Sequence, residues 1–358
     1  MKKTIFSLLF LLCVFALYGE VIVLPENKEK INLQLPTQQI YFQKYYNRTG
    51  ECPWKTLRNS KNDFSRLKVV RIKPGKDFSK VEVSQSDNFK EVKKANVQSE
   101  LADFKNLRPD TTYYWRGIKA NGKAGKTFSF TTADTVPHWI SIPGISNVRD
   151  LANWKSARFG KRVKRGMVYR GTEFDDRIKI KPEGRPVFLG LKIKTDLDLR
   201  GLHPDKKKGF VRAFPEIRRV PVAMRSYEGT VAKTPDAKIA KLLVQVFEEF
   251  SKAENYPFYV HCYGGADRTG SVMFYLGCIL GFSDADLIAE FEMTSFSKMG
   301  VRTFQKPKDK NSWRALCKAL APHGPANGPL WQKGVAYLKF CGVTEEVMQG
   351  IRNNLLTE

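Results

Sequence analysis

Phe258-Tyr-Val-His-Cys-Tyr-Gly-Gly-Ala-Asp-Arg-Thr-Gly270 is the stretch whose reading decides the fold, and an apolar run over residues 271–280 follows it. A short apolar strand enters a glycine-containing loop, and the loop enters an apolar helix. At such a junction the N–H groups of the loop and of the first helical turn converge. With the positive end of the helix dipole they form a nest for an anion. The cradle is read as Tyr263, Gly264, Gly265, Ala266, Asp267 and Arg268, with Gly264 and Gly265 expected to supply the positive φ that a tight curl needs. Cys262 opens the nest. Donors that hold phosphate also stabilise a thiolate, so its pKa is expected below the free value of about 8.5. That thiolate can attack phosphorus and form a phosphocysteine. Arg268 closes the loop with a planar fork matched to two equatorial phosphate oxygens, and such positioning supplies most of the catalysis in phosphoryl transfer. Thr269 can donate its hydroxyl to the departing sulfur, and His261 is expected to orient the loop rather than act as a base. A thiolate needs no metal-activated water, so neither metal nor cofactor is expected. An incidental buried cysteine would not bring His, Cys, Gly, Asp, Arg, Thr and Gly into register behind a strand.

Outward from this loop, apolar runs at 193–199 and 258–260 alternate with helical stretches such as 237–250. There Ile239, Leu242, Leu243, Val246, Phe247 and Phe250 recur three and four apart. Strands alternating with helices imply an α/β domain with a mostly parallel central sheet flanked by helices. Thr344 is placed to cap a last helix running to Leu356. Further upstream, 68–132 reads as short strands divided by turns at Pro74-Gly75, 108–110 and 121–125, which implies a small antiparallel all-β sandwich. Residues 20–67 either add its early strands or form a separate extension. The expected division is a leader over 1–19, the β-sandwich module with its extension over 20–135, and the α/β domain over 136–358.

The chain has 358 residues and carries 61 Lys and Arg against 36 Asp and Glu, a formal charge of +25. Its length suits two domains. The positive surplus favours anionic partners: phosphorylated substrates or an acidic envelope surface. Nucleic acid is not expected, because the one short basic run, Lys206, Lys207 and Lys208, lacks interleaved stacking aromatics. Lys2 and Lys3 before an apolar stretch over 5–18, with Gly19 after it, read as a secretion signal, an uncleaved anchor being the alternative. The expected location is therefore outside the cytoplasm: periplasmic, secreted or cell-surface. Beyond Cys13 in the leader lie Cys52, Cys262, Cys278, Cys317 and Cys341, with no metal-site spacing. An odd number leaves at least one thiol unpaired. Cys278 reads as a core residue, and a Cys317–Cys341 bridge stays open.

The loop resembles the signature of the cysteine-based protein phosphatase superfamily: His-Cys, five residues, Arg, then Thr or Ser. The closest subgroup is the bacterial tyrosine phosphatase-like enzymes with Asp before the Arg. Asn147-Val-Arg-Asp-Leu151, Gly166-Met-Val-Tyr-Arg-Gly171, Thr195-Asp-Leu-Asp-Leu-Arg200 and Gly342-Val-Thr-Glu-Glu346 match that subgroup's other landmarks in order. The resemblance implies action on phosphotyrosine and sometimes on phosphoinositides, and it points to Asp267 as the general acid. A bound phosphate dianion should raise its pKa; the bland reading is a brace for Arg268 or the backbone. Asp198 and Asp236 are the runner-up acids, Asp198 with Arg200 reading rather as a structural pair. Ala266 stands where relatives carry a lysine associated with phosphoinositide binding, and Leu151-Ala-Asn153 replaces a glycine-rich step. Leu107-Arg-Pro-Asp-Thr-Thr-Tyr-Tyr-Trp115, with Phe128-Ser-Phe-Thr-Thr132, resembles the later strands of fibronectin type III domains.

The implied function is an exported cysteine-dependent phosphomonoesterase of protein-tyrosine or dual specificity, acting on a phosphorylated protein. One alternative is a phosphoinositide or inositol polyphosphate phosphatase. The other is a non-catalytic phosphate- or envelope-binding module.

Overall fold

The computed structural model describes residues 22–47, 52–57, 69–201, 212–304 and 312–358. The expected leader and the Lys206–208 run lie outside them. In the amino-terminal part, β1 (Ile22–Val23) and β2 (Glu29–Ile31) precede α1 (Pro36–Lys44) and α2 (Trp54–Leu57). Then follow β3 (Val69–Ile72), β4 (Phe78–Ser84), β5 (Lys93–Asn96), β6 (Ala102–Phe104), β7 (Thr111–Lys119) and β8 (Phe128–Thr132). They form a three-stranded sheet in the order β1-β3-β6 and a five-stranded sheet in the order β2-β8-β7-β4-β5. Along β7 the side chains of Thr111, Tyr113 and Trp115 are buried, alternating with partly or fully exposed neighbours, as a half-buried strand requires. Tyr113 stacks on Phe130 and Trp115 on Phe128, and Val70, Ile72, Val81, Val83 and Phe104 complete the core.

The expected all-antiparallel pairing is corrected at two edges: β1 runs parallel to β3, and β2 parallel to β8. Both edge strands come from the segment before residue 68, which the alternation pattern left undecided because two or three residues carry no readable period. That segment has a second role. Tyr41, Cys52, Trp54 and Leu57, from the stretch between β2 and β3, pack into the core of the carboxy-terminal α/β unit.

That unit contains β9 (His138–Trp139), β10 (Arg149–Asp150), β11 (Val168–Gly171), α3 (Arg185–Leu189), β12 (Thr195–Asp198), β13 (Arg218–Pro221), α4 (Lys238–Ser251) and β14 (Phe258–His261). After β14 come α5 (Asp267–Ile279), α6 (Asp284–Glu292), α7 (Trp313–Leu320), α8 (Leu330–Phe340) and α9 (Glu345–Leu355). The six-stranded sheet has the order β13-β12-β14-β11-β10-β9. Its first four strands are mutually parallel and the last two antiparallel. Phe258 and Val260 of β14 face one core, with Leu197 and the helices, while Tyr259 faces the other, with Phe174, Phe188 and Phe214. Burial on both faces explains why these strands read as continuous apolar runs. The α4 stripe lands as spaced, with Leu243, Val246, Phe247 and Phe250 buried.

Thr344 accepts the Val347 N–H at 3.2 Å as the N-cap of α9, and Arg352 on that helix donates to the Ile279 carbonyl at the end of α5. Thr344→Ala should therefore lower stability by about 1 kcal/mol and Thr344→Ser by much less, read as a shift in the urea midpoint at constant slope.

Candidate active site

The strand β14, between β11 and β12, delivers Cys262 to the start of the loop, where its side chain is 3% exposed. The curl that follows is fixed at Gly265. Its φ is +59°, and a Cβ there would meet the Gly171 carbonyl oxygen at 2.0 Å, so only glycine fits. Gly264 corrects the sequence reading. It does not take a positive φ, and an added Cβ would meet the flexible Met299 side chain first, its sulfur at 3.0 Å.

The carbonyls of this curl are held on its outer side. Asn147 Nδ2 donates to the Gly264 and Gly265 oxygens at 3.1 and 3.0 Å, and Arg170 Nη2 donates to the Gly265 oxygen at 2.5 Å. A trans peptide is planar, so a carbonyl fixed on one side sends the next residue's N–H to the other. The amides of Gly265 and Ala266 are thereby turned inward. The holders are held in turn. Arg149 Nη1 donates to Asn147 Oδ1 at 2.5 Å, and Arg149 Nε and Arg170 Nη1 take the two oxygens of Glu290 at 3.0 and 2.6 Å. Burial opposes ionisation of Glu290, but the two guanidiniums outweigh it and keep its pKa below the usual carboxylate range.

Burial likewise pushes the Cys262 thiol up. The Thr269 hydroxyl and amide, the charge of Arg268 and the Ala266 amide pull it down further, and the net shift is downward. The buried Thr269 hydroxyl has no nitrogen or oxygen partner, which leaves it to the sulfur. Every other described cysteine is displaced upward, by burial first: Cys52, Cys278, Cys341, and Cys317 to about 12. Cys317 and Cys341 are both free thiols.

Arg268 Nη1 donates to the Leu199 and Arg200 carbonyls at 3.2 and 3.0 Å. Its Nε and Nη2 have no hydrogen-bond partner among the described residues, so two fork donors remain. The chain carrying those carbonyls is pinned by the Arg200 side chain. That guanidinium binds both oxygens of Asp198 at 2.8 Å, Glu173 at 2.7 Å and Asp175 at 2.9 Å. Asp198 is fully buried, also paired with Arg219, and kept ionised by His261, Arg200 and Arg219 against its burial. A carboxylate so held does not donate a proton near neutral pH; Asp198 is structural. Asp236 is exposed before α4.

His261 lies buried with Nδ1 3.0 Å from the Cys262 carbonyl and Nε2 2.9 Å from Asp196. Burial alone would lower its pKa, but Asp196 and then Asp198 raise it to about 9. At neutral pH it is an imidazolium that donates to the loop and adds positive charge beside the sulfur, not a base.

Asp267 is the first residue of α5. Its carboxylate takes Nε and Nη2 of Arg302 at 2.6 and 2.9 Å and accepts from the Tyr227 hydroxyl. Burial raises its pKa, Arg302 and Tyr227 lower it, and the net is below the usual value. Without a bound anion, therefore, the shift is opposite in sign to the rise expected of it beside phosphate, and its brace is Arg302 instead of Arg268. Tyr263 is 42% exposed at the mouth, with the Arg177 guanidinium 5.7 Å from its ring centroid.

Asn147, Arg149 and Arg170 lie inside the sequence landmarks, but their task as carbonyl holders was not read. Glu290, Arg302 and Tyr227 were missed altogether. The one available signal was two polar residues two positions apart, Asn147 just before β10 and Arg149 within it, in a buried stretch. A single acid on a helix already rich in acids gives none.

A family model described as the tyrosine phosphatase family matches residues 140–357. Among solved structures, the core catalytic domain of the PP-IP phosphatase Siw14 from S. cerevisiae is similar at 19% identity and a TM-score of 0.29, covering 44% of this chain and 90% of that one. OH1 from the Orf virus, titled a tyrosine phosphatase with triple substrate specificity, is similar at 17% identity and a TM-score of 0.19, covering 54% and 86%. No curated protein matches.

Alkylation by iodoacetamide near neutral pH should label Cys262 ahead of every other thiol. The pH midpoint of its rate should lie below about 8.5 and move upward in Thr269→Val. Labelling spread evenly over the cysteines, or a midpoint unmoved by that substitution, would refute the cradle as the source of the thiolate.

Proposed function

Because this chain belongs to the tyrosine phosphatase family, we propose that it hydrolyses phosphate monoesters through a phosphocysteine on Cys262, with phosphotyrosine-bearing protein as the preferred substrate. The observation that carries this reading is a lowered thiol at the floor of a loop whose Gly264 and Gly265 carbonyls are held outward.

The Cys262 thiolate attacks phosphorus, and the ester oxygen leaves with a proton. The loop amides from Tyr263 to Arg268 and the two remaining donors of Arg268 take the equatorial oxygens, whose charge they stabilise through the transition state. Asp267 supplies the proton to the leaving oxygen and then takes one from the attacking water, which releases inorganic phosphate. Its carboxylate starts below the usual range, so the protonated fraction it needs comes from the charge of the bound dianion. The alkaline limb of the pH–rate profile should then lie on the acid side of neutrality. The Thr269 hydroxyl donates to the sulfur as it leaves in the second step.

A second reading, hydrolysis of an inositol polyphosphate, is favoured by one observation: the exposed Arg177 stands over the Tyr263 ring beside the cradle, where it can meet a second phosphate. Ala266 supplies no cation there. In our reading the chain is exported, the β-sandwich is a fibronectin type III-like spacer or docking unit, and its basic surface favours an anionic envelope.

Cys262→Ser should reduce hydrolysis of an aryl phosphate to background while vanadate binding persists; retained turnover refutes the nucleophile. Asp267→Asn should cost about 10²-fold or more on an alkyl phosphate and much less on an aryl phosphate with a good leaving group. An equal loss on both would leave Asp267 a structural brace. Across a panel of phosphotyrosine peptide, phosphoinositide and inositol hexakisphosphate, the peptide should have the highest kcat/KM; a higher value for inositol hexakisphosphate would establish the second reading.

A further inference from the structure

The pair Asp267–Arg302 depends on a part of the chain far away in sequence. Arg302 belongs to a segment, residues 297–304, that leaves α6 through a 3-10 turn and passes beside the cradle. Its Met299 is the neighbour of Gly264. Two ties flank Arg302. Ser295 Oγ donates to the Arg302 carbonyl at 2.7 Å and accepts its N–H at 2.8 Å. One oxygen of Glu292 accepts the Thr303 hydroxyl and the Phe304 amide, both at 3.0 Å.

The other oxygen of Glu292 accepts from the Tyr41 hydroxyl at 2.8 Å. Tyr41 lies on α1, which in sequence interrupts the amino-terminal sandwich. Its ring stacks on Trp54 at 5.5 Å, and both meet Phe296, at 5.9 and 5.3 Å between centroids, where the segment begins. Tyr46, two residues past the end of that helix, bonds Asp286 of α6. The buried Glu292 carboxylate is thus shared between the amino-terminal helix and the two residues directly after Arg302.

We propose that Tyr41 and Glu292 are positioning residues of the active site, through which the amino-terminal segment fixes residues 297–304 and so holds Arg302 against Asp267. The effect on turnover rests on the reading of Asp267 as the proton donor; the coupling itself does not. Around Asp267 the other facing groups are the Tyr227 hydroxyl and, at longer range, Arg170; around Glu292 they are Tyr41 and Cys52. None of these lies on the segment, so of the charged groups facing Asp267 only Arg302 moves with it; added solvation would act in the opposite sense, so an upward shift marks loss of the Arg302 contact. Tyr41→Phe removes the hydroxyl and keeps the stack, which isolates the tie to Glu292.

The test is a ¹³C NMR titration of the full chain labelled at the Asp carboxyls, with Asp267 identified by the resonance lost in Asp267→Asn. Arg302→Met should raise the Asp267 midpoint by about one pH unit or more. Tyr41→Phe should raise it in the same direction by a fraction of that, and should add nothing in the Arg302→Met background. A midpoint in Tyr41→Phe equal to that of the unsubstituted chain, with only the melting temperature lowered, would overturn the proposal. So would an undiminished shift in the double variant. The alkaline limb of kcat/KM follows the NMR midpoint if Asp267 is the acid; a limb that stays while the midpoint moves sinks that reading and leaves the coupling standing.

Discussion

The direction of two carbonyl groups, those of Gly264 and Gly265, decides what this site can bind. A loop of bare backbone has no preference between presenting oxygens and presenting N–H groups to its centre; the first would repel phosphate and a thiolate alike. Asn147 and Arg170 remove the ambiguity by taking the oxygens on the outer side. The inward amides of Gly265 and Ala266 follow from that arrangement, because peptide planarity leaves the N–H groups no other direction, and the Ala266 amide joins Thr269 and Arg268 in lowering the thiol. Gly265 is the residue that allows it, pressed against Gly171 where no side chain fits.

Such an arrangement has to be rigid, and rigidity here is built from buried charge. Arg149, Arg170 and Glu290 are nearly inaccessible to solvent. Burying ions costs several kcal/mol each, and removal of one partner typically costs about 3–5 kcal/mol because it strands another. With two guanidiniums to one carboxylate, the set leaves net positive charge behind the loop. His261, positively charged through Asp196 and Asp198, adds to it from the strand side. The second buried web, around Arg200, works at one remove: it fixes the chain whose carbonyls orient Arg268. An anion-binding cradle needs both polarity and stiffness, and the same buried ions supply the two.

How much of this was legible depended on whether the signal was local. The strand–loop–helix reading, the α4 stripe and the Thr344 cap each rest on short-range rules, and the elements lie where those rules put them. The placement of Cys262, Arg268 and Thr269 around one point was legible for the same reason. What could not be read were relations across the fold. Glu290 and Arg302 lie after the loop in sequence, and nothing in the spacing couples Glu290 to Arg149, more than a hundred positions away. The positive φ falls on Gly265 and not on Gly264 because Gly171 happens to back it. The two edge strands β1 and β2 were opaque for another reason: two and three residues are too few to show a period.

The most direct test of the cradle is a crystal structure of the full chain soaked in orthovanadate. The account requires vanadium bonded to Sγ of Cys262, its three equatorial oxygens met by N–H groups of residues 263–268 and by Nε and Nη2 of Arg268, and the Gly264 and Gly265 carbonyls still on Asn147 and Arg170. Vanadate seated instead on Arg177 or Arg302, or bound at Cys262 with those carbonyls facing it, would contradict it.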